Sequence, residues 1–354
     1  MTTVRRPRTA HRRVDRLSFN TQRKASQLDP WRRPVLVKGP LGVVSAIELA
    51  FSLMFIALLI WSFAVYVDNG FKKLHSNKQH HEMWKMKLEV VSIWLPLVGN
   101  ICFAFLFFPV TRLSSLLPLV GLTSEGSMKY HVWLGHLSLA FYAAHSIGFV
   151  VFWAVTNDVV ELITWANTGV SNVAGELTMI IGLIMWVTTI PRIRRKAFEV
   201  FFYTHQLYFL FLFFYLLHVG INHFNLTLPG VYLFMIDRYL RFLQSRQNVR
   251  LLSARLLPCE AIELNFSKSR GFNHSTMSTI FVNVPGVSKL QWHPYTVTSN
   301  SNLEPECLSI VIKNEGSWTQ KLYRTLSSPS LDRLAVSVEG PYGPSSVSFP
   351  RHAF

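Results

Sequence analysis

Six stretches of the chain are apolar for long enough to cross a bilayer: roughly residues 42–67, 90–110, 131–153, 174–190, 198–220 and 227–243. A helix of about 20 apolar residues spans about 30 Å of hydrocarbon. The sixth stretch is the most polar, with Asp237, Arg238 and Arg241 in its second half. These three are expected at its cytoplasmic end. After about residue 248 the pattern changes. The runs "NVRLLSARLLP", "TMSTIFVNVPGV", "CLSIVIKN" and "RLAVSVEGPYG" are short, β-branched and separated by Pro, Gly, Asn and Ser, which predicts strands of an antiparallel sheet or small barrel. The expected architecture is a membrane α-helical bundle of about six transmembrane helices over 39–247. A cytoplasmic antiparallel β-barrel follows over 248–354, and residues 1–38 form a basic arm.

Composition agrees with a membrane protein: half of the 354 residues are hydrophobic and 15% are charged. A net charge of +16 would suggest nucleic acid in a soluble chain. Here the basic residues gather at the ends of apolar runs, so membrane lipid is the expected partner and nucleic acid is not. The basic arm, "PRIRRKAF" (191–198) and Arg238, Arg241, Arg246 and Arg250 all mark the inside, since cytoplasmic loops are rich in lysine and arginine. The N-terminus is then inside and the number of crossings even. The arm has no apolar core and is no secretory signal. It reads as a solvated arm against anionic headgroups, with an organelle transit peptide as the competing reading. Cys102, Cys259 and Cys307 are too few and too scattered for a disulfide framework or a CxxC metal site.

The chemistry lies in the histidines. Ionisable side chains inside a span are rare and point to function. His131 and His145 are fourteen residues apart on the third span, about 21 Å of rise and within about 40° of one face. His136 points elsewhere and is set aside. His205 and His218 are thirteen apart on the fifth span, which runs in the same direction. His131 and His205 then share one depth, and His145 and His218 another. Two stacked haems with bis-imidazole ligation require that arrangement. Thirteen residues leave His205 and His218 about 140° apart on an ideal helix, so a tightened or kinked segment is expected between them. His223 lies on the same face as His205 but beyond Gly220, and depth favours His218. Satisfied core histidines, a proton relay and zinc are the competing readings, although zinc ligands cluster.

Several segments carry a resemblance. "HVWLGH…H", "FEVFFYTHQLYFLFLFFYLLHVG", "DRYLRFLQSR", "LQWHPYTVTS" and "VEGPYG" together resemble the ferric reductase transmembrane family. "VKGPLGVVSAIE" and "GLTSEGSMKYHVWLGH" bring the chain nearest to the plant ferric-chelate reductases within it, over about residues 30–354. NADPH oxidases share the haem pattern more distantly. The resemblance implies a ferredoxin-reductase-type FAD-binding barrel and two haem b groups. His131 and His205 match the inner ligands, and His145 and His218 the outer ones. Electrons would pass from cytoplasmic NAD(P)H through FAD and the haems to extracellular Fe(III)-chelate, supplying Fe(II) for uptake. "HPYTVTS" matches the flavin motif, with Tyr295 in place of the usual Phe. His293, Pro294, Tyr295, Thr296 and Ser299 are then flavin-binding, a strand end whose hydroxyls suit a ribityl chain and whose Tyr295 can stack on a ring. Lys313, Gly316, Trp318 and Thr319, in "IKNEGSWTQKLY", match the segment near the flavin phosphates, and a Gly-led helix start suits an anion. "GPYG" (340–343) reads as a tight turn.

The expected departure from the family is at the C-terminus. No glycine-rich nucleotide fingerprint follows a strand, so NAD(P)H has no expected site here and the nicotinamide domain reads as missing. Superoxide production and an inactive membrane fragment are the alternative functions. Plasma membrane is the expected location, with an organelle membrane as the other. The preferred metal (iron or copper) and the oligomeric state are not specified by these patterns.

Overall fold

The computed structural model describes residues 34–36, 42–75, 82–112, 124–166, 170–246, 250–267, 278–299, 307–327 and 334–342. The basic arm therefore lies outside the described residues, except for β1, Pro34–Leu36, which pairs antiparallel with β2, Val44–Ser45. Helices follow in order: α1, Ala46–His75; α2, Met83–Phe105; α3, Ser124–Thr156; α4, Asn172–Thr189; a short α5, Pro191–Lys196; α6, Phe198–His205; and α7, Tyr208–Phe224. Among the described residues five segments are helical, long and apolar enough to cross a membrane, counting α6 and α7 as one. Helix is the required form, because lipid offers backbone N–H and C=O groups no partner. Exposed Phe51, Leu53, Ile60 and Trp61 on α1, and Ile180, Ile184 and Val187 on α4, are surfaces that lipid can cover. This is a multi-pass membrane protein.

The sixth expected span does form a helix, α8, Leu228–Ser245, but it is not one of the five apolar crossings. Asp237 and Arg241, expected at its cytoplasmic end, are buried, with Arg241 Nε 2.8 Å from Asp237 Oδ2. A charged pair that sits inside is held by protein, so one face of α8 packs on other parts of the chain.

The chain divides into two compact units. The first takes residues 1–98, 119–121 and 144–158, and within it Tyr66 of α1 stacks on Trp94 of α2 at 4.9 Å. The second takes the remainder. Its helical core is aromatic, with Phe103, Phe107, Tyr142, Phe211 and Tyr215 packed together. One polar group is buried among them: Tyr142 and Tyr215 each donate a 2.8 Å hydrogen bond to Oδ1 of Asn100. A buried amide oxygen with two lone pairs is thereby satisfied from two other helices.

Among the described residues the same unit holds six antiparallel strands: β3, Leu251–Leu256; β4, Ala261–Ser267; β5, Thr279–Asn283; β6, His293–Thr296; β7, Cys307–Lys313; and β8, Ser337–Tyr342. Helix α9, Ser317–Leu326, lies between β7 and β8. Two three-stranded sheets result, β3-β4-β7 and β6-β5-β8, joined by an antiparallel bridge between Val297 and Ile310. Alternation decides the core. Ile262, Leu264 and Phe266 of β4, Leu308, Ile310 and Ile312 of β7, and Ile280 and Val282 of β5 point inward, with Trp318 and Leu322 of α9 against them. Gly340 and Pro341, read as a turn, belong to β8, where Glu339 faces Phe281 of β5. Gly343 lies outside the described residues.

Candidate electron-transfer site

His131 on α3 and His205, the last residue of α6, meet in the second unit. Their ring centroids are 6.1 Å apart and the planes cross at 81°. Two imidazole nitrogens bound on opposite sides of one metal, about 2 Å each, place their centroids about 6 Å apart. The observed separation fits one metal between two rings. His131 Nδ1 lies 2.9 Å from the carbonyl oxygen of Leu106. A carbonyl only accepts, so Nδ1 carries the proton and the lone pair is on Nε2, the atom a metal needs. His205 Nδ1 is buried without a hydrogen-bond partner among the described residues.

The other two predicted ligands repeat that device, each within its own unit. His145 Nδ1 lies 2.8 Å from the carbonyl of Ser92, and His218 Nδ1 lies 2.9 Å from that of Ser171. Three of the four rings are thus held in one tautomer by backbone oxygens. The ring of His218 lies against Gly175 of α4. A Cβ there would stand 2.7 Å from its Cε1 and Nδ1 and 3.1 Å from its Nε2, so only glycine leaves the ring its place.

The angular mismatch between His205 and His218 has a local cause. α6 ends at His205, and the backbone closes with Gln206 N–H to Tyr203 and Leu207 N–H to Thr204 before α7 begins. Such i to i−3 bonds advance about 120° per residue in place of about 100°. Two residues of tightening recover about 40° of the mismatch. Beyond His218, Gly220 takes φ +70° and ψ 171°, breaking the helix. That left-handed φ suits glycine, and it puts His223 past the break. His136 is engaged elsewhere, its Nδ1 accepting from Trp186 Nε1 at 2.7 Å. Among the described residues no three of His, Cys, Asp and Glu cluster as a metal site of the zinc kind.

The flavin-motif residues divide by strand parity. In β6, Pro294 and Thr296 are exposed, while His293 and Tyr295 turn to the other face. His293 lies against Trp318 with ring centroids 4.4 Å apart and planes tilted by 36°, and Tyr295 lies 6.4 Å from the same ring. Burial pushes the His293 imidazole below its usual range and the Tyr295 phenol up, so both are neutral at pH 7. The Ser299 hydroxyl accepts from the N–H of Ser309 at 2.9 Å, and it therefore also ties its segment to β7. Thr319 caps α9, its Oγ1 accepting from the N–H of Gly316 at 2.9 Å and of Glu315 at 3.1 Å. Lys313 is exposed and pairs with Glu315.

Trp318 is 4% exposed, and its indole N–H has no partner among the described residues. It lines a cavity of about 260 Å³ together with Glu199, Tyr203, Gln291 and Lys321. That volume suits one ring system, and an orphaned buried donor in its wall suits a carbonyl oxygen. Residue patterns did not single out Glu199 or Tyr203, which belong to α6, the helix that ends in His205.

Between this cavity and the histidine pair the aromatic rings are contiguous. Trp318 meets His293, His293 meets Phe198 at 6.4 Å, Phe198 meets Phe201 at 6.0 Å, and Phe201 meets His205 at 5.4 Å. Phe198 and Phe201 were legible only as apolar span residues.

Apolar helices carrying these histidines and an antiparallel unit holding the HPYTVTS stretch are the two parts that comparison with known proteins matches. Residues 95–216 match the ferric reductase like transmembrane component, and residues 246–346 match an FAD-binding domain. Over 325 residues the chain is 56% identical to ferric reduction oxidase 2 of Arabidopsis thaliana, covering 91% of this chain and 45% of that protein. It is 51% identical to probable ferric reduction oxidase 1 of the same plant over 346 residues (96% and 49%) and 50% identical to ferric reduction oxidase 3, mitochondrial, over 341 (94% and 48%). Over most of its length the chain is similar to ferric reduction oxidases. It spans about half the length of these curated relatives.

Proposed function

We propose that the chain conducts electrons across a membrane, from a cytoplasmic flavin through two haems to Fe(III)-chelate on the far side. The observation that carries this reading is the unbroken file of rings from Trp318 to the His131–His205 pair, whose 6.1 Å separation suits one iron between them. His131 and His205 hold the inner haem, and His145 and His218 the outer. His293, Tyr295, Trp318 and the Ser299 segment hold FAD, with Pro294 and Thr296 on the open face of the strand. Gly316, Thr319 and Lys313 stand by its phosphates at the start of α9.

When bound, haem iron accepts and releases single electrons, with a potential set by its axial ligands. The protein's part is to orient and to exclude water. The carbonyls of Leu106, Ser92 and Ser171 hold the protons of three imidazoles on Nδ1, which keeps Nε2 available as ligand. Neighbouring aromatic rings bridge the cavity and the first ligand pair. The basic residues at 191–196 support a flavin side inside the cell, where NAD(P)H would be the ultimate donor. The iron released as Fe(II) would serve uptake at the plasma membrane, with an organelle membrane as the other outcome to be distinguished by localisation.

The test is spectroscopic. Membranes holding the full chain are reduced with dithionite, and the b-type spectrum is compared with that of His131→Ala and His218→Ala. Each variant should lose one haem while the protein stays in the membrane. A wild-type chain that carries no haem would overturn the reading. Reduced flavin is then supplied, and Fe(II) trapping is compared with dye reduction sensitive to superoxide dismutase. An iron signal abolished by the dismutase would replace the chelate with oxygen as acceptor.

A further inference from the structure

The charged residues that disqualify α8 as a crossing form a built network. Asp237, Arg241 and Gln244 sit at i, i+4 and i+7, on one face of the helix. Arg112 follows the 3₁₀ turn Phe108–Val110 that ends the second apolar crossing. Its backbone N–H donates to Asp237 Oδ1 at 2.9 Å, and its Nη1 lies 3.1 Å from Glu339 Oε2 in β8. Its guanidinium stands 3.3 Å over the Phe281 ring of β5 and 6.0 Å from the Tyr342 ring of β8. Gln244 closes the set, donating to the carbonyl of Gly340 at 2.8 Å and accepting from the Tyr342 hydroxyl at 3.2 Å. Asp237, Arg241 and Glu339 are 3%, 5% and 6% exposed.

Two cations and two anions, mutually paired, with three of them buried and the Arg112 side chain 20% exposed, are poor candidates for net stability but give a single geometry, because every misplacement leaves a charge uncompensated. Arg112 touches three parts: the end of the second apolar crossing, the face of α8 and the β5–β8 pair. β5 is also hydrogen-bonded to β6, which carries His293 and Tyr295. We propose that Arg112 is a positioning residue, a latch that sets the flavin-binding strands at one fixed placement on the membrane helices and so fixes the gap between flavin and the inner histidine pair. The functional half of this inference rests on the electron path proposed above, whereas the structural half does not.

The test uses membranes holding the full chain with Arg112→Ala, Arg112→Lys and Tyr342→Phe. Amide hydrogen exchange is read over residues 237–245 and 337–342, together with haem per chain and the rate of haem reduction after photoreduction of added FAD. Arg112→Ala should leave haem per chain unchanged. It should raise exchange in both segments on the order of 100-fold, the factor corresponding to a buried charge left unpaired, and slow haem reduction. Arg112→Lys should recover part of both effects, which general destabilisation would not. Should Arg112→Ala fail to fold, Tyr342→Phe carries the same prediction at smaller amplitude. Wild-type exchange in these segments in the alanine variant, or in Tyr342→Phe if it alone folds, overturns the latch. Raised exchange with an unchanged haem-reduction rate overturns the positioning role. Absence of flavin-driven haem reduction in the wild type, with raised exchange in the variants, overturns the electron path and leaves the latch standing.

Discussion

Replacing Gly175 by alanine sets two effects against each other, and the contact geometry decides between them. In a helix interior alanine is favoured over glycine by about 1 kcal/mol. The added methyl, however, would meet Cε1 and Nδ1 of His218 at 2.7 Å, where ordinary contact begins near 3.4 Å. The ring must retreat by the difference, 3.4 − 2.7 = 0.7 Å. It is not free to do so, because Nδ1 is tied at 2.9 Å to the carbonyl of Ser171, one turn before Gly175 on the same side of α4. A retreat of that size stretches the hydrogen bond to about its limit, and forcing methyl groups into packed sites costs about 1–3 kcal/mol. If the ring bears the strain, haem affinity at the His218 level falls roughly 5- to 150-fold. The assay is haem per chain in detergent-solubilised protein, followed by transfer to excess apomyoglobin. Gly175→Ala should bind near-normal haem at the His131–His205 pair and lose the other group much faster than wild type. Full haem content with wild-type retention at both levels would refute the reasoning.

Three further outcomes are expected. Asn100→Leu leaves the hydroxyls of Tyr142 and Tyr215 without their acceptor. It should destabilise the detergent-solubilised protein by about 1–3 kcal/mol and by much less in a Tyr142→Phe/Tyr215→Phe background; equal losses in both backgrounds would contradict the buried knot. His136→Ala should keep the full b-type spectrum, since that ring is held by Trp186, and loss of a haem there would reassign a ligand. His293 has a folded-state pKa depressed by burial. Below its unfolded value, about 6.5, the unfolded chain binds a proton that the folded chain does not, so the contribution to stability is intact above that pH and is lost as pH falls through the folded pKa. Thermal unfolding of the chain between pH 7.5 and 5 should therefore show an acid loss that His293→Gln lessens, and identical profiles would argue against a buried neutral ring.

Local patterns determined much of this protein. Apolar length marked the five crossings, because lipid demands helix of a fixed span. Histidines at matched depth marked the candidate ligands, because an imidazole inside a membrane is costly without a role. β-branched runs marked most of the strands. β4 is harder to read: Ile262, Leu264 and Phe266 alternate with Glu263 and Asn265, a period-two signal obscured by the charge and the amide. Only the tertiary structure decided what each ring touches. The acceptors on Leu106, Ser92 and Ser171 are backbone carbonyls, which every residue possesses and no side-chain pattern announces. The break at Gln206–Leu207 and the file through Phe198 and Phe201 depend on helices brought together from distant parts of the chain. The fate of α8 was likewise non-local. Its charges look like the end of a crossing until Arg112 and Glu339, more than a hundred residues away on either side, supply the partners that make burial affordable.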